Sequence, residues 1–172
     1  QSSKKAGFKY LLIIPALVFG LLSFSVNPDV PQDKGKSTLP SIWPLEKSDI
    51  KEVAQDFGGP EGKFHSGVDF AAKLGTPVMA TASGVVKAAK EKGDYGNIVY
   101  LVHDDKIATL YAHLDKIEVK EGMKVKKGQV IGTVGNTGKS TAPHLHYEVI
   151  IDGESVNPKK VMMKAKQLEE KK

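Results

Sequence analysis

The sequence predicts a mostly β fold, with a single antiparallel sheet in a sandwich or barrel-like domain and an N-terminal hydrophobic segment before it. Short runs rich in Val, Ile and Tyr recur between residues 68 and 151, and glycine-containing turns separate them. A length of 172 residues suits one domain with a full hydrophobic core. We expect one folded unit at 41–163, after a Pro-containing linker at 26–40 and before a charged tail at 164–172.

The first 25 residues have the pattern of an export signal. Lys4, Lys5 and Lys9 precede an almost wholly apolar stretch at 10–22, and small residues follow it. This is the layout of a secretory signal peptide. An uncleaved membrane anchor is the alternative, although the stretch is at the short end of the roughly 20 residues that span a bilayer. Both alternatives predict an exported protein, periplasmic or extracellular, and the second adds anchoring in the inner membrane.

The composition excludes several classes of protein. There is no Cys, so disulfides, thiolate metal sites and a lipid-modified N-terminal Cys are excluded. All 25 basic residues are Lys, and once the three N-terminal ones are set aside, 22 Lys face 20 acidic residues. A domain so near neutrality, without Arg, gives no sign of a nucleic-acid partner. Because Cys is absent, any metal must be bound by His, Asp or Glu.

Seven strands are predicted from runs of β-branched and aromatic residues that turn residues bound. They cover 68–72, 77–80, 84–88, 98–103, 107–113, 129–134 and 145–151. A short helical turn is predicted at 49–57, a loop at 119–127, and either a short helix or a frayed end from Lys159 onward. Trp43 stands beside Pro44 and is expected to anchor an edge strand to the core.

Four of the five histidines fall in three short pieces of the sequence, together with one aspartate. The first piece contains His65 and Asp69, the second His113, and the third His144 and His146. Imidazole and carboxylate side chains bind divalent transition metals, above all zinc. Each of these residues alone is more often an ordinary surface or core residue. Together they predict that the three pieces converge on one metal ion.

The spacing within the pieces supports this prediction. If His144-Leu145-His146 is extended, as at the start of the strand predicted at 145–151, the rings of His144 and His146 project from one face while Leu145 enters the opposite layer. Two neighbouring imidazoles suit one metal ligand beside one acid–base group. His65 and Asp69 also share a face if their segment is extended, and the Gly67 between them is expected to leave room for an ion.

His65, Asp69 and one histidine of the later pair make three protein ligands, and a zinc ion so bound keeps a position for water. Zinc lowers the pKa of that water to about 7 and polarises a carbonyl, which predicts hydrolysis of an amide bond. The remaining histidines can take the proton of the attacking water and stabilise the oxyanion or protonate the leaving amine. His113 and His144 suit these tasks. Tyr111 shares the strand face of His113 and is expected to orient a ring or contact substrate.

Two further features are interpreted without a catalytic role. His103 adjoins Asp104-Asp105 at a predicted hairpin turn. Gly138-Lys139-Ser140 looks like the end of a phosphate-binding loop, but Thr133 stands where that loop requires Gly, and a strand follows instead of a helix. Lys139 is therefore expected at the rim of a cleft.

Ten short motifs occur in order between residues 41 and 161 and point to one family. They are Ile42-Trp43-Pro44, His65-Ser66-Gly67-Val68-Asp69, Gly75-Thr76-Pro77-Val78, Gly84-Val85-Val86, Tyr95-Gly96-Asn97, Tyr111-Ala112-His113-Leu114, Val125-Lys126-Lys127-Gly128-Gln129, Gly135-Asn136-Thr137-Gly138, Pro143-His144-Leu145-His146 and Val156-Asn157-Pro158. In these motifs the sequence resembles the lysostaphin/LytM-type zinc metallopeptidases, which cleave bacterial peptidoglycan.

The resemblance implies a lysostaphin-like antiparallel β domain with a duplicated hybrid motif and a substrate groove over the sheet. It implies that His65, Asp69 and His146 bind Zn²⁺ and that His113 and His144 are catalytic. The implied substrate is the stem peptide or cross-bridge of peptidoglycan, and a monomer is expected. The predicted function is therefore a zinc-dependent peptidoglycan endopeptidase.

Two other functions are weighed against this prediction. Relatives that have lost metal ligands activate cell-wall amidases without catalysis, whereas this sequence keeps all five residues. A biotinyl or lipoyl carrier would share the 125–129 hairpin pattern. Such a carrier needs a Lys at an exposed hairpin tip between Met-like residues, and none is evident in this sequence. A phosphotransfer domain of the same broad fold belongs in the cytoplasm, which disagrees with the N-terminal segment.

Overall fold

Ten strands form one antiparallel sheet in the computed structural model, which describes residues 38–59 and 63–171. The predicted mostly β, antiparallel class is confirmed. The predicted export segment at 1–25 and most of the predicted linker at 26–40 lie outside the described residues. Within the described part, no helix is long and apolar enough to cross a membrane.

The strands follow one another along the chain with short connections. They are β1 (Glu52–Gln55), β2 (Val68–Ala71), β3 (Pro77–Met79), β4 (Gly84–Glu91), β5 (Asn97–Val102), β6 (Ile107–Ile117), β7 (Lys124–Val125), β8 (Val130–Val134), β9 (His144–Ile151) and β10 (Glu154–Val156). The main path through the sheet is β1-β2-β9-β6-β5-β4-β7. In addition, β10 pairs with β9, β3 pairs with β8, and β8 pairs with β6. Strands β2, β9 and β6 are therefore neighbours although they are far apart in sequence.

The helical turn predicted at 49–57 is wrong. A single 3-10 turn covers Lys47–Asp49, and β1 follows it, paired antiparallel with β2. The side chains of β1 are mostly exposed, so the segment carries no apolar alternation that would indicate a strand. Its conformation comes from backbone pairing with β2, which local sequence does not show.

The C-terminal segment is a helix, α1 (Pro158–Glu169). Asn157 caps it, since its side chain accepts hydrogen bonds from the backbone N–H groups of Lys159 and Lys160. Pro158 occupies the first turn, where its missing N–H costs nothing. The helix continues past residue 163, where the sequence predicted that a charged tail would begin.

The two faces of the central strands have different tasks. Along β9, Leu145, Tyr147 and Val149 enter the main core, while His144, His146 and Glu148 project from the opposite face. Phe70 of β2 joins the main core from the neighbouring strand. Trp43 packs edge-on against Phe70, with ring centroids 5.6 Å apart, and so fastens the N-terminal arm to the core as predicted, although the arm itself is not a strand.

His103 is buried at the start of the hairpin loop between β5 and β6 and is 1% exposed. Its Nδ1–H donates to the carbonyl of Ser83 at 2.8 Å, and its Nε2 lies 2.8 Å from the hydroxyl of Thr109. That hydroxyl is 3.1 Å from the hydroxyl of Tyr111, which also accepts from the backbone N–H of Thr81. The ring is thus a fully hydrogen-bonded core residue.

His103 makes the stability of the fold depend on pH. Burial lowers its pKa from 6.5 to about 4, so the unfolded chain binds more protons between these values. The stability that neutral His103 contributes is present above about pH 6.5 and is lost as the pH falls towards about 4. Between pH 7 and pH 5, the free energy of unfolding should fall by about 2 kcal/mol more in the wild type than in His103→Gln. Urea unfolding in the presence of a chelator measures this difference, and an equal fall in both proteins would refute it.

Candidate active site

The pairing of β2 with β9 brings the first and third pieces of the predicted site together. Asp69 lies directly opposite His146 in the antiparallel register, and Ala71 lies opposite His144. Because side chains alternate along both strands, the Asp69 carboxylate and the two imidazoles project from the same face. This face is the one turned away from the main core.

His65 completes the group from the loop that precedes β2. Its Nε2 lies 3.1 Å from Asp69 Oδ1 and 3.1 Å from His146 Nδ1. Asp69 Oδ1 and His146 Nδ1 are 2.7 Å apart. Three candidate ligand atoms therefore meet at one point, and the three residues form a group that can hold a metal ion.

The donor set fits zinc. Two imidazole nitrogens and one carboxylate oxygen are typical of hydrolytic zinc sites, which keep one position for water or substrate. A tetrahedral ion with ligands about 2.1 Å away separates ligand atoms by roughly 3.4 Å. The distances of 2.7 to 3.1 Å are a few tenths of an ångström shorter, so the group needs only a small expansion to accept the ion.

Hydrogen bonds from outside the group select which ring nitrogen faces its centre. His65 Nδ1–H donates to the carbonyl of Asp56 at 2.9 Å, which leaves Nε2 as the inner atom. His146 Nε2–H donates to Glu148 Oε1 at 2.9 Å, which leaves Nδ1 as the inner atom. A ligand ring oriented in this way presents an unprotonated nitrogen to a metal.

Glu148 is a part of the site that the sequence reasoning missed. Its buried carboxylate accepts from Ser66 Oγ at 2.6 Å and from the Tyr95 hydroxyl at 2.9 Å, in addition to His146. It therefore ties the His65 loop, the Tyr95 turn and β9 together. The signal was available, since Glu148 follows His146 by two positions and so shares its strand face.

His113 and His144 lie side by side next to the group of candidate ligands, with ring centroids 4.6 Å apart. His144 Nδ1–H donates to the carbonyl of Ala142 at 2.8 Å, and His113 Nδ1–H donates to the carbonyl of Thr137 at 2.8 Å. In both rings Nε2 is the atom left for a substrate. The structure thus brings all five predicted site residues together.

Tyr111 does not take part, so the prediction that its hydroxyl orients a site ring or contacts substrate is wrong. It is fully buried on the core face and bonds to Thr81. His113 reaches the other face because its φ is 59°, in the left-handed region, which breaks the alternation of β6. Strand periodicity would have placed the two side chains on the same face.

The charges of the site favour a bound cation. Burial alone would lower the pKa of His146, but hydrogen bonds to the carboxylates of Asp69 and Glu148 raise it to about 9. Burial alone would raise the pKa of Asp69, but hydrogen bonds from His146 and His65 hold it well below its usual range. A divalent metal ion can supply the positive charge in place of the proton, since a ligating imidazole must be neutral.

The pKa of His113 is shifted in the opposite direction from that of His146. Burial lowers its pKa, against the hydrogen bond to Thr137, and the neighbouring His144 lowers it further. Its ring is therefore neutral at neutral pH, and Nε2 can accept a proton.

The site opens into a groove made of two adjoining cavities. The larger one, of about 550 Å³, is lined by the five site residues together with Phe64, Asp94, Tyr95 and Lys139, among others. The smaller one, of about 280 Å³, shares Asp69 and His144 and continues over β1 and the loop before β9. Lys139 thus lies at the rim of a cleft, as predicted. A linear chain can lie across the site with residues on both sides of it.

Glycine is needed at position 67 for a different reason from the one that the sequence suggested. A Cβ at this position would lie 2.4 Å from the carbonyl oxygen of Tyr147 and 2.8 Å from Cε1 of His146. The space is therefore taken by the His146 ring and the β9 backbone, and the expectation that it leaves room for an ion is wrong. Gly67 lets the His65 loop approach β9 closely enough for the ligand atoms to meet.

Comparison with known proteins finds a matching family and similar relatives. Residues 63–158 match Peptidase family M23. DD-carboxypeptidase/endopeptidase Mpg of Neisseria meningitidis serogroup B is 49% identical over 106 residues, which are 62% of this chain and 24% of Mpg. Peptidoglycan DD-endopeptidase ShyA of Vibrio cholerae is 49% identical over 96 residues, which are 56% of this chain and 22% of ShyA. The match covers less than a quarter of either relative.

Solved structures share the fold. A zinc-containing peptidase from Vibrio cholerae superposes with a TM-score of 0.65 at 35% identity, covering 72% of this chain and 40% of the other. The catalytic domain of the antimicrobial peptidase lysostaphin from Staphylococcus simulans superposes with a TM-score of 0.57 at 36% identity, covering 65% of this chain and 90% of the other. The likeness to lysostaphin that the sequence motifs predict is confirmed.

Substitution of Gly67 should damage metal binding. The added methyl group of Gly67→Ala meets backbone and ring atoms, so the His65 loop must move away from His146. Zinc affinity, measured by competition with a chromophoric chelator, should fall by at least tenfold, and the free energy of unfolding by about 1–3 kcal/mol. Gly75→Ala is the control for zinc affinity, because its Cβ meets nothing within 4 Å; its positive φ of 83° means that it also costs stability, but it should keep its affinity for zinc. Unchanged zinc affinity in Gly67→Ala would contradict this account.

Removal of the Glu148 carboxylate should weaken metal binding without removing a ligand. Glu148→Ala frees the His146 ring to rotate and leaves Ser66 and Tyr95 without their acceptor, so zinc affinity should fall by about 10- to 100-fold. Ser155→Ala is a matched control, because its hydroxyl touches only the outer oxygen of Glu148, at 3.3 Å. The same chelator competition tests both variants, and equal affinities would show that Glu148 does not orient His146.

Proposed function

The chain belongs to peptidase family M23, and we propose that it is a zinc-dependent endopeptidase of bacterial peptidoglycan. The observation that carries the proposal is the convergence of three candidate ligands beside two further imidazoles in an open groove. The names of Mpg and ShyA support peptide bonds of peptidoglycan as the substrate.

His65, Asp69 and His146 are proposed to hold the zinc ion through Nε2, Oδ1 and Nδ1. The donor set and the meeting of these atoms support the assignment, as does the description of a structural neighbour as zinc-containing. When bound, zinc supplies a Lewis acid that polarises the scissile carbonyl and makes a water molecule more acidic.

His113 and His144 are proposed to move protons at their Nε2 atoms. A neutral His113, whose pKa is lowered by burial, suits the group that accepts a proton from the attacking water. His144, 4.6 Å away between ring centroids, acts at Nε2 in its doubly protonated form: it stabilises the oxyanion or gives the Nε2 proton to the leaving amine as the C–N bond breaks. The carbonyl of Thr137 accepts from Nδ1–H of His113, and the carbonyl of Ala142 accepts from Nδ1–H of His144. Nε2 of each ring is therefore the nitrogen that faces the groove.

The groove supports a polymeric substrate that extends past the reacting bond on both sides. Its two cavities meet at Asp69 and His144, so the scissile bond would lie between them. Remote contacts of this kind position the reacting carbonyl, which contributes to the rate as well as to binding.

The proposed substrate lies outside the cytoplasm, which is consistent with an exported protein. On that basis residues 1–25 are proposed as a signal peptide or membrane anchor and 26–40 as a linker. Residues 41–163 are proposed as the peptidase domain and 164–172 as a charged tail, which continues helix α1 as far as Glu169. No nucleic-acid partner is proposed, since the formal charge is close to balanced once the first lysines are set aside. A monomer is proposed, as the family resemblance implies.

Digestion of purified sacculi tests the function. The zinc-loaded protein should release soluble muropeptides, identified by mass spectrometry, and His146→Ala should reduce their release to the level of a buffer control because one metal ligand is lost. His103→Gln is the matched control, because it removes a histidine that lies outside the groove. Release that persists in His146→Ala, or after complete removal of metal, would refute the proposal.

A panel of peptidoglycans identifies the bond. Sacculi with direct cross-links and sacculi with glycine cross-bridges should give different fragments, and the masses of the new termini show which amide was cut.

A further inference from the structure

We infer that Thr137, held between Gly96 and Gly138, is the positioning residue that keeps the His113 ring directed into the groove. The inference rests on the proposed function, because that function makes the direction of the ring matter. We call Gly96, Thr137 and Gly138 the glycine clasp.

His113 is held in a conformation that it would not adopt by itself. Its φ of 59° lies in the left-handed region, which residues other than glycine adopt at a cost on the order of 1–3 kcal/mol. The other non-glycine residue with positive φ in the described chain, Asp152, lies in the turn between β9 and β10. His113 instead lies within strand β6, where no turn requires a positive φ, so contacts with neighbouring residues must impose the conformation.

Thr137 makes the contacts that impose it. Its carbonyl accepts from His113 Nδ1–H at 2.8 Å, and its hydroxyl donates to the carbonyl of Leu114 at 2.8 Å. The side-chain amide of Asn97 donates to the same Leu114 carbonyl at 3.1 Å, and its backbone N–H donates to the Thr137 hydroxyl at 3.0 Å. One residue thus fixes both the ring of His113 and the carbonyl of the next residue, Leu114.

Thr137 is itself held by two glycines in close backbone contact. A Cβ on Gly96 would lie 2.4 Å from the carbonyl carbon and 2.4 Å from the hydroxyl oxygen of Thr137. A Cβ on Gly138 would lie 2.3 Å from the backbone nitrogen of Gly96 and 2.5 Å from the carbonyl oxygen of Asp94. Both glycines also have positive φ, so any side chain there forces the two loops apart.

The consequence is a coupling between two loops and one imidazole. If the clasp opens, the Thr137 carbonyl leaves Nδ1, and the strain at His113 can relax by returning its side chain to the normal alternation of β6. The proposed metal ligands are held by other contacts, from Asp56 and Glu148. Tyr95, next to Gly96, is one donor to Glu148, but Ser66 also donates to this carboxylate and lies outside the clasp. Opening the clasp should therefore slow the reaction without releasing the metal.

Kinetics of four variants on a soluble cross-linked muropeptide test the inference. Gly138→Ala should lower kcat by about 100-fold, the effect of a misplaced catalytic group, with KM and zinc content within twofold of the wild type. Gly153→Ala is the matched control, because Gly153 also has positive φ but a Cβ there meets nothing within 4 Å. It should keep its kcat.

Thr137→Val removes only the hydroxyl contacts and should lower kcat by about tenfold, while Thr137→Ser should restore it. The comparison of Thr137→Val with Thr137→Ser still tests the role of Thr137 if Gly138→Ala does not fold. A kcat within twofold of wild type in Thr137→Val, an equal loss in Gly153→Ala, or loss of zinc in step with activity would each overturn the inference.

Nuclear magnetic resonance of ¹⁵N-labelled histidine separates this inference from the proposed function. In the zinc-loaded wild type, His113 should show a protonated Nδ1 in slow exchange and an unprotonated Nε2. Gly138→Ala and Thr137→Val should lose this signature, and Gly153→Ala should keep it. If the wild type cleaves no peptidoglycan, the function fails but the spectrum still tests the clasp. An unchanged His113 spectrum in both clasp variants would refute it.

Discussion

The antiparallel register between β2 and β9 is the constraint on which the site depends. It places Asp69 opposite His146 and puts their side chains on the face away from the main core. A slip of one residue in either strand would turn its site residues into the core and its core residues into the groove. Phe70, Leu145 and Tyr147, all buried, resist that slip, so the hydrophobic core holds the candidate ligands in register.

Around this register, hydrogen bonds to the four site histidines assign their roles. Backbone carbonyls accept from Nδ1 of His65, His113 and His144, whereas a carboxylate accepts from Nε2 of His146. His146 thus presents Nδ1 to the ligand group, and the other three present Nε2. The glycines at 67, 96 and 138 permit the close backbone approaches that these bonds require. The chemistry of the groove is therefore set as much by carbonyl positions as by the histidines themselves.

Strand alternation explains what could be predicted from the sequence. His144 and His146 share a face because they are two positions apart, and the same rule would have found Glu148. Alternation failed at His113, where a positive φ that other loops impose brings the ring to the face opposite Tyr111. It also failed at β1, whose exposed side chains carry no period and whose partner is distant in sequence. Gly67 was recognised as important, but its neighbours come from β9 and are visible only in three dimensions.

The central claim is that one zinc ion is bound by His65 Nε2, Asp69 Oδ1 and His146 Nδ1. Anomalous diffraction at the zinc edge from crystals of the zinc-loaded protein tests it most directly. The account predicts a single strong peak within about 2.3 Å of these three atoms, with Glu148 still bonded to His146 Nε2. A peak bound through His146 Nε2, or one centred on His113 and His144, would contradict it.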